Sequence, residues 1–169
     1  MTTDKIYLVG FMASGKSTVA RHLAQRLGWR HEDVDDLIEA RERRRIADIF
    51  ATRGEPYFRG VEKDILKLLV PIRHMVVATG GGTFADPESR NAILMDGTAV
   101  WIDVPLTELI PRIPLDGRRP LAADRPALER LYLSRVDTYR LAHIRVTASR
   151  MSPSAVADRI LDTLAVYPE

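Results

Sequence analysis

The chain has 169 residues, with 25 lysines and arginines against 23 aspartates and glutamates, and no cysteine. That length suits one domain with its own core, or one carrying a small inserted lobe, while a net charge of +2 with scattered basic residues excludes a long cationic stripe for nucleic acid. Lack of cysteine excludes a disulfide scaffold and a thiolate metal site; with no signal-like segment before the first apolar run, and no run near the roughly 20 residues that span a bilayer, a cytoplasmic protein bound to neither membrane nor nucleic acid is expected.

Ile6 to Val9 reads as a first strand. It runs into Gly10-Phe11-Met12-Ala13-Ser14-Gly15-Lys16-Ser17-Thr18, after which Val19, Leu23 and Leu27, with Ala20 and Ala24 beside them, recur at helical spacing. Strand, glycine-bounded loop and helix are the setting in which G-x-x-x-x-G-K-[ST] forms a phosphate-binding loop. Glycines let the backbone curl so that N–H groups point at phosphate oxygens, and the helix start adds its positive dipole end. Ala13, Ser14, Gly15, Lys16, Ser17 and Thr18 are therefore nucleotide-binding candidates. Lys16 would reach the outer phosphates, and the Ser17 hydroxyl would ligate Mg2+.

Gly28 ends the first helix, and Trp29 to Asp33 reads as a second strand. If that strand continues, Asp33 and Asp35 project on the same side. Asp33 is a candidate magnesium ligand, through a water, and Asp35 a candidate base for an acceptor hydroxyl; the plainer alternative is that either carboxylate caps the helix that follows. The charged run Glu39 to Arg45 reads as a solvated helical face, and Gly54 interrupts the apolar stripe resumed by Ile46, Ile49 and Phe50. From Glu55 to Leu69 the positions Phe58, Val61, Ile65 and Leu68 follow helical spacing, with Pro56 near the start, where proline is tolerated. Arg59, between Glu55 and Glu62, is either part of a surface ion-pair ladder or a guanidinium fork held for an anionic substrate group.

Met75 to Ala78 is a third strand that leads directly into Thr79-Gly80-Gly81-Gly82, where a backbone without side chains could approach a small ligand closely. Asp86-Pro87 starts a helix to about Met95, Val100 to Val104 is a fourth strand, and Leu106 to Ile113 a short helix. Pro114 to Pro126, with Gly117, Pro120 and several arginines, reads as a mobile loop; Arg112, Arg118, Arg119 and Arg125 border or occupy it, and a closing loop that delivers an arginine to a transferring phosphate would exclude water. A helix from about Ala127 to Leu141, a strand near Ile144 to Val146 and a helix from Pro153 to Leu164 finish the chain. Arg135, taken alone, reads as a surface residue. The alternation implies an α/β fold, three layers α/β/α around a five-stranded parallel sheet, with ligands at the carboxyl ends of the strands.

In order, these motifs resemble the shikimate kinase family over nearly the whole chain: the loop Gly10 to Thr18, Asp33-Val-Asp35-x-x-Ile38-Glu39, Ile49-Phe50-x-x-x-Gly54-Glu55-x-x-Phe58-Arg59, Thr79-Gly80-Gly81-Gly82, Arg112 seven residues before Arg119-Pro120-Leu121, and Arg135-x-x-x-Tyr139. The resemblance implies a P-loop fold of the nucleoside-monophosphate-kinase type with a mobile lid, and a single kinase domain over 1–169 with a substrate-binding segment at about 34–62 and a lid at about 113–126. It implies ATP-dependent phosphorylation of the 3-hydroxyl of shikimate, with Mg2+, by a monomer. It assigns Asp35, Arg59, Gly80, Gly81, Gly82 and Arg135 to shikimate, Arg59 and Arg135 to its carboxylate, Arg119 to the transferring phosphate, and Arg112 to adenine. Lys16, Asp35 and Arg119 are then the catalytic set. Ala13, in place of a glycine common in that family's loop, and Asp137-Thr138, in place of Pro-Leu, depart from its pattern. Rival readings are a related small-metabolite kinase such as gluconate kinase, which would not need the two-arginine clamp, and a nucleotide- or metabolite-sensing module without turnover, which would be expected to lose Lys16, Asp35 or Arg119.

Overall fold

The computed structural model describes residues 3–114 and 124–166. Five strands form one parallel sheet: β1 (Lys5–Val9), β2 (Arg30–Asp33), β3 (Met75–Ala78), β4 (Thr98–Asp103) and β5 (Ile144–Thr147), in the spatial order β2-β3-β1-β4-β5. Seven α-helices among the described residues flank it: α1 (Lys16–Leu27), α2 (Val34–Glu42), α3 (Ile46–Leu69), α4 (Pro87–Asp96), α5 (Leu106–Leu109), α6 (Arg125–Tyr139) and α7 (Pro153–Val166). No described helix is long and apolar enough to cross a membrane.

The central strands β1, β3 and β4 are apolar and buried along nearly their whole length, as strands covered on both faces must be. The edge strands β2 and β5 carry Arg30, His31, Glu32 and Arg145, charges that discourage pairing with another chain. Because all strands are parallel, the segments following β1, β2 and β3 emerge at one end of the sheet. With β3 seated between β1 and β2, the triple glycine lies between the phosphate loop and the aspartate pair.

Local chemistry explains most boundaries. Trp29 donates its N–H to Ala24 O and so belongs to the closure of α1, which delays β2 to Arg30. β2 does not continue past Asp33, contrary to the alternation expected for the aspartates: Asp33 caps α2, its carboxylate accepting the Asp35 N–H at 2.9 Å, and Asp35 lies in the first helical turn. The run Glu39 to Arg45 is not one helical face either. α2 stops at Glu42, Arg43 takes a left-handed conformation, and the Glu39 carboxylate turns back to accept the N–H of Ile46 at the start of α3. Gly54 leaves helical geometry inside α3 (φ 80°), so Pro56 follows a kink and breaks no regular ladder. α6 begins at Arg125, two residues before the expected start, because Asp124 caps it through Ala127 N–H at 2.7 Å. Arg125 therefore belongs to a helix and pairs with Glu129. The turn Ile110–Arg112 after α5 is a 3-10 turn rather than a continued α-helix.

At the opposite end of the sheet a buried polar cluster ties three elements together. Lys5 Nζ, fully buried, donates to Leu69 O, Val70 O and the Asp96 carboxylate at 2.7–2.9 Å, and Tyr7 donates to the same carboxylate at 2.6 Å. Burial by itself would raise the Asp96 pKa, but the bonds from Lys5 and Tyr7, with the charges of Lys5 and Arg73, outweigh it and hold the carboxyl below its ordinary value. A depressed folded-state pKa contributes stability that is complete above the unfolded value of about 3.9 and is lost as pH falls through the folded value. Asp96→Asn is therefore expected to cost about 3–5 kcal/mol at neutral pH by leaving Lys5 without a counter-charge. Denaturant unfolding should show a shallower loss of stability below about pH 4 in the variant than in the parent; equal acid slopes would contradict this account.

Candidate active site

The phosphate loop curls over the end of β1. Gly10 passes so close to β4 that a Cβ there would lie 2.8 Å from Ile102 O, so the position admits no side chain. Lys16 opens α1 and folds back over the loop, its Nζ donating to Gly10 O (2.9 Å) and Phe11 O (2.8 Å). Ala13 adopts a left-handed conformation (φ 61°) that an L-residue enters at a cost of about 1–2 kcal/mol. Ala13→Gly is thus expected to raise unfolding stability, by up to about 1 kcal/mol once the greater freedom of glycine in the unfolded chain is subtracted. Thermal denaturation without ligand measures it, and a loss of stability would contradict the strain.

Ser17 donates to the Asp33 carboxylate, so the two oxygen groups expected to serve a metal already meet. Hydroxyl plus a single carboxylate fits Mg2+, which keeps several waters and leans on substrate phosphates. Among the described residues no cluster of three or more His, Cys, Asp or Glu could hold a metal by itself. Asp36, beside them on α2, has its carboxyl pushed up by burial and by the nearby charges of Asp33 and Glu39.

Two cavities, each of about 340 Å³, open at this end of the sheet. One is walled by Ala13, Gly15, Lys16, Ser17, Thr18, Thr79 and Arg112. The other is walled by Met12, Asp36, Glu39, Ile46, Phe50, Phe58, Arg59, Glu62, Gly80, Gly82, Pro114 and Arg135. Ser17, Asp33, Asp35 and Gly81 line both.

The second cavity is lined by polar groups held tightly in place. Glu62 is completely buried; its carboxylate accepts Arg59 Nη1 at 2.8 Å and the Thr83 hydroxyl at 2.5 Å, while Glu55 takes Arg59 Nη2 at 3.2 Å. Burial alone would lower the Arg59 pKa; the charges and hydrogen bonds of Glu62 and Glu55 prevail and hold it above its ordinary value. Arg59 is thus no member of a solvated ladder. Arg135, on α6, is 7% exposed, which corrects the surface reading of that residue. Both guanidinium groups abut the glycines: a Cβ at Gly82 would stand 2.9 Å from Arg59 Cζ, one at Gly81 3.6 Å from Arg135 Nη1, and one at Gly80 3.0 Å from Asp35 Oδ1. The glycines are the space in which these three side chains sit.

Residues 12–165 match the sequence profile of the family described as Shikimate kinase. The chain belongs to the shikimate kinase family. The shikimate kinase of Persephonella marina is 41% identical over 157 residues, 92% of this chain and 96% of that protein. Among solved structures, shikimate kinase from Acinetobacter baumannii in complex with shikimate superposes with a TM-score of 0.93 at 33% identity, covering 98% of this chain and 94% of that one. Shikimate kinase from Aquifex aeolicus superposes with a TM-score of 0.83 at 36% identity, covering 96% of each chain. A member of the shikimate kinase family is an ATP-dependent small-molecule kinase on a P-loop fold.

The family's motifs, scattered through the sequence, therefore converge here. Lys16, Ser17, Asp33, Asp35, Arg59, Gly80 to Gly82 and Arg135 line the paired cavities, and Arg112 stands at the outer wall of the loop-side one, 3.9 Å from Glu108. Arg118 and Arg119 lie outside the described residues, as do residues 115–123 of the expected lid. Sequence reasoning missed the apolar wall of Ile46, Phe50 and Phe58, whose helical spacing reads as core; it offered Glu62 as a carboxylate neighbour of Arg59 but not its complete burial. A glutamate at i+3 from Arg59 was the only signal for the anchor, and that spacing is equally common on surfaces.

Proposed function

We propose that this chain transfers the γ-phosphoryl group of ATP to the 3-hydroxyl of shikimate, giving shikimate 3-phosphate and ADP. The observation that carries this reading is the junction of the two cavities at Ser17, Asp33, Asp35 and Gly81. One cavity has the lysine, helix start and backbone N–H groups suited to phosphates; the other has two buried guanidinium groups suited to a carboxylate. Their shared wall is where an acceptor oxygen would meet a phosphorus atom.

Asp35, at that wall, accepts the proton of the acceptor hydroxyl as its oxygen bonds to phosphorus and the bond to the β-phosphate oxygen breaks. Lys16 and the α1 N-terminus bear the charge that collects on the phosphate oxygens. Mg2+ would be held by Ser17 and, through water, Asp33, and when bound would screen phosphate charge. Arg59 and Arg135 grip the shikimate carboxylate and so fix the ring, while Ile46, Phe50 and Phe58 cover its apolar side. Arg112 supports the adenine end, and Arg119 is taken as the lid arginine for the transferring phosphate. Residues 34–62, which supply half of the residues lining the acceptor cavity, act as the substrate-binding segment within a single kinase domain, with the lid at about 113–126. The same reading, on the family resemblance, takes the chain as a monomer in a cytoplasmic setting.

ADP release from ATP and Mg2+, with shikimate, gluconate or no acceptor in parallel, tests the reading. Stimulation by shikimate alone is expected. Stimulation by gluconate instead would keep the kinase and overturn the assignment of shikimate as its acceptor.

A further inference from the structure

Three glycines in succession have no side chains to hold them and the widest choice of backbone angles, yet in this site their direction matters. Each of their carbonyls has its own donor. Gly80 O accepts Thr83 N–H at 3.2 Å and Gly82 O accepts Ala85 N–H at 3.1 Å, both local turn bonds. The middle one, Gly81 O, accepts the hydroxyl of Tyr139, a side chain 58 residues further along the chain, at 2.5 Å.

We propose that Tyr139 is a positioning residue for the acceptor: by holding the Gly81 carbonyl it sets the direction in which the glycine segment presents its backbone to the substrate. The inference rests on the acceptor assignment above. Carbonyl and N–H of one trans peptide point in opposite directions in one plane, so anchoring Gly81 O also fixes the Gly82 N–H. Gly81 and Gly82 both line the acceptor cavity. The phenol ring is itself immobilised, 1% exposed and lying against Trp101 of β4 with ring centroids 5.9 Å apart. Trp101 also backs the phosphate loop, since a Cβ at Gly10 would lie 3.5 Å from its Cδ1. One helical turn before Tyr139, Arg135 lies beside the same glycine, 3.6 Å from where a Gly81 Cβ would stand, so α6 faces Gly81 with a guanidinium and holds it by a phenol. Burial pushes the Tyr139 hydroxyl up to about 12, against the lowering charges of Arg135 and Arg59, so it remains a donor throughout the neutral range.

Tyr139→Phe in the full chain keeps the ring on Trp101 and removes the hydroxyl, which donates to Gly81 O and also interacts with Arg135, so exchange at the glycines is read beside the kinetics to isolate the anchor. With shikimate varied at saturating ATP, its KM should rise roughly five- to tenfold, as loss of one neutral hydrogen bond allows, with kcat within about twofold and KM for ATP unchanged. Amide exchange at Gly81 and Gly82, measured without substrate, should quicken by a similar factor. An unchanged KM for shikimate in a variant that merely melts earlier would overturn the positioning role, as would equal rises in both KM values. If the parent does not turn over shikimate at all, the acceptor assignment has failed; exchange then still reads the anchor, and unchanged exchange would sink it independently.

Discussion

Asp35→Asn should lower kcat by about 10³-fold, within the 10²–10⁴ range for loss of a positioned base and equivalent to about 4 kcal/mol of barrier. ATP affinity should stay within about twofold, because the substitution leaves in place the groups expected to bind it, Lys16, Ser17 and the loop amides. Asparagine preserves size, and the Asp35 backbone N–H that Asp33 accepts is untouched, so α2 should start normally. The side chain sits in the space that Gly80 leaves, a would-be Cβ there lying 3.0 Å from Asp35 Oδ1, so an amide of the same size should occupy the same place without being able to take a proton. Single-turnover phosphoryl transfer and calorimetric ATP binding measure the two quantities separately. Full turnover in the variant, or lost nucleotide binding, would remove Asp35 from the role of base.

Arg59→Leu carries the second large effect, and it is double. Leucine removes one arm of the carboxylate clamp, so KM for shikimate should rise about 100-fold or more while KM for ATP stays put. It also leaves Glu62, completely buried, with the Thr83 hydroxyl in place of its ion pair, which should cost about 3–5 kcal/mol of stability. Adding Glu62→Leu should restore much of the stability and none of the affinity, since a buried charge without its partner costs more than an apolar replacement. Thermal unfolding of single and double variants, beside their kinetics, separates the contributions. A double variant no more stable than the single one would refute the buried-charge account, and a normal KM for shikimate would refute the clamp.

Much of the fold was legible because its signals are local. Apolar runs of strand length, helical spacing in α1 and after Gly54, and the glycine-bounded loop each specify their own conformation from a few neighbouring residues. The alternation of strands and helices implied a parallel sheet, and a parallel sheet places all strand ends on one side, so the convergence of loop, aspartate pair and triple glycine could be anticipated. The pattern fell short where two local signals compete. Asp33 fits a strand and a helix cap equally, and only the cap bond to the Asp35 N–H shows that α2 begins there.

The sequence by itself determined the phosphate loop, the α/β class and, through the order of its motifs, the family. Tertiary structure alone decided which charged residues are interior. Arg135 looks like an ordinary helix-surface arginine, and Arg59 as readily a ladder member as a substrate fork, until α6 and α3 are packed around the glycines after β3. Burial and partnership are set by segments tens of residues away, as the bond from Tyr139 to Gly81 shows. A local pattern reports the angle at which a side chain leaves its helix; what stands opposite that face depends on how the whole sheet is ordered, with β3 between β1 and β2.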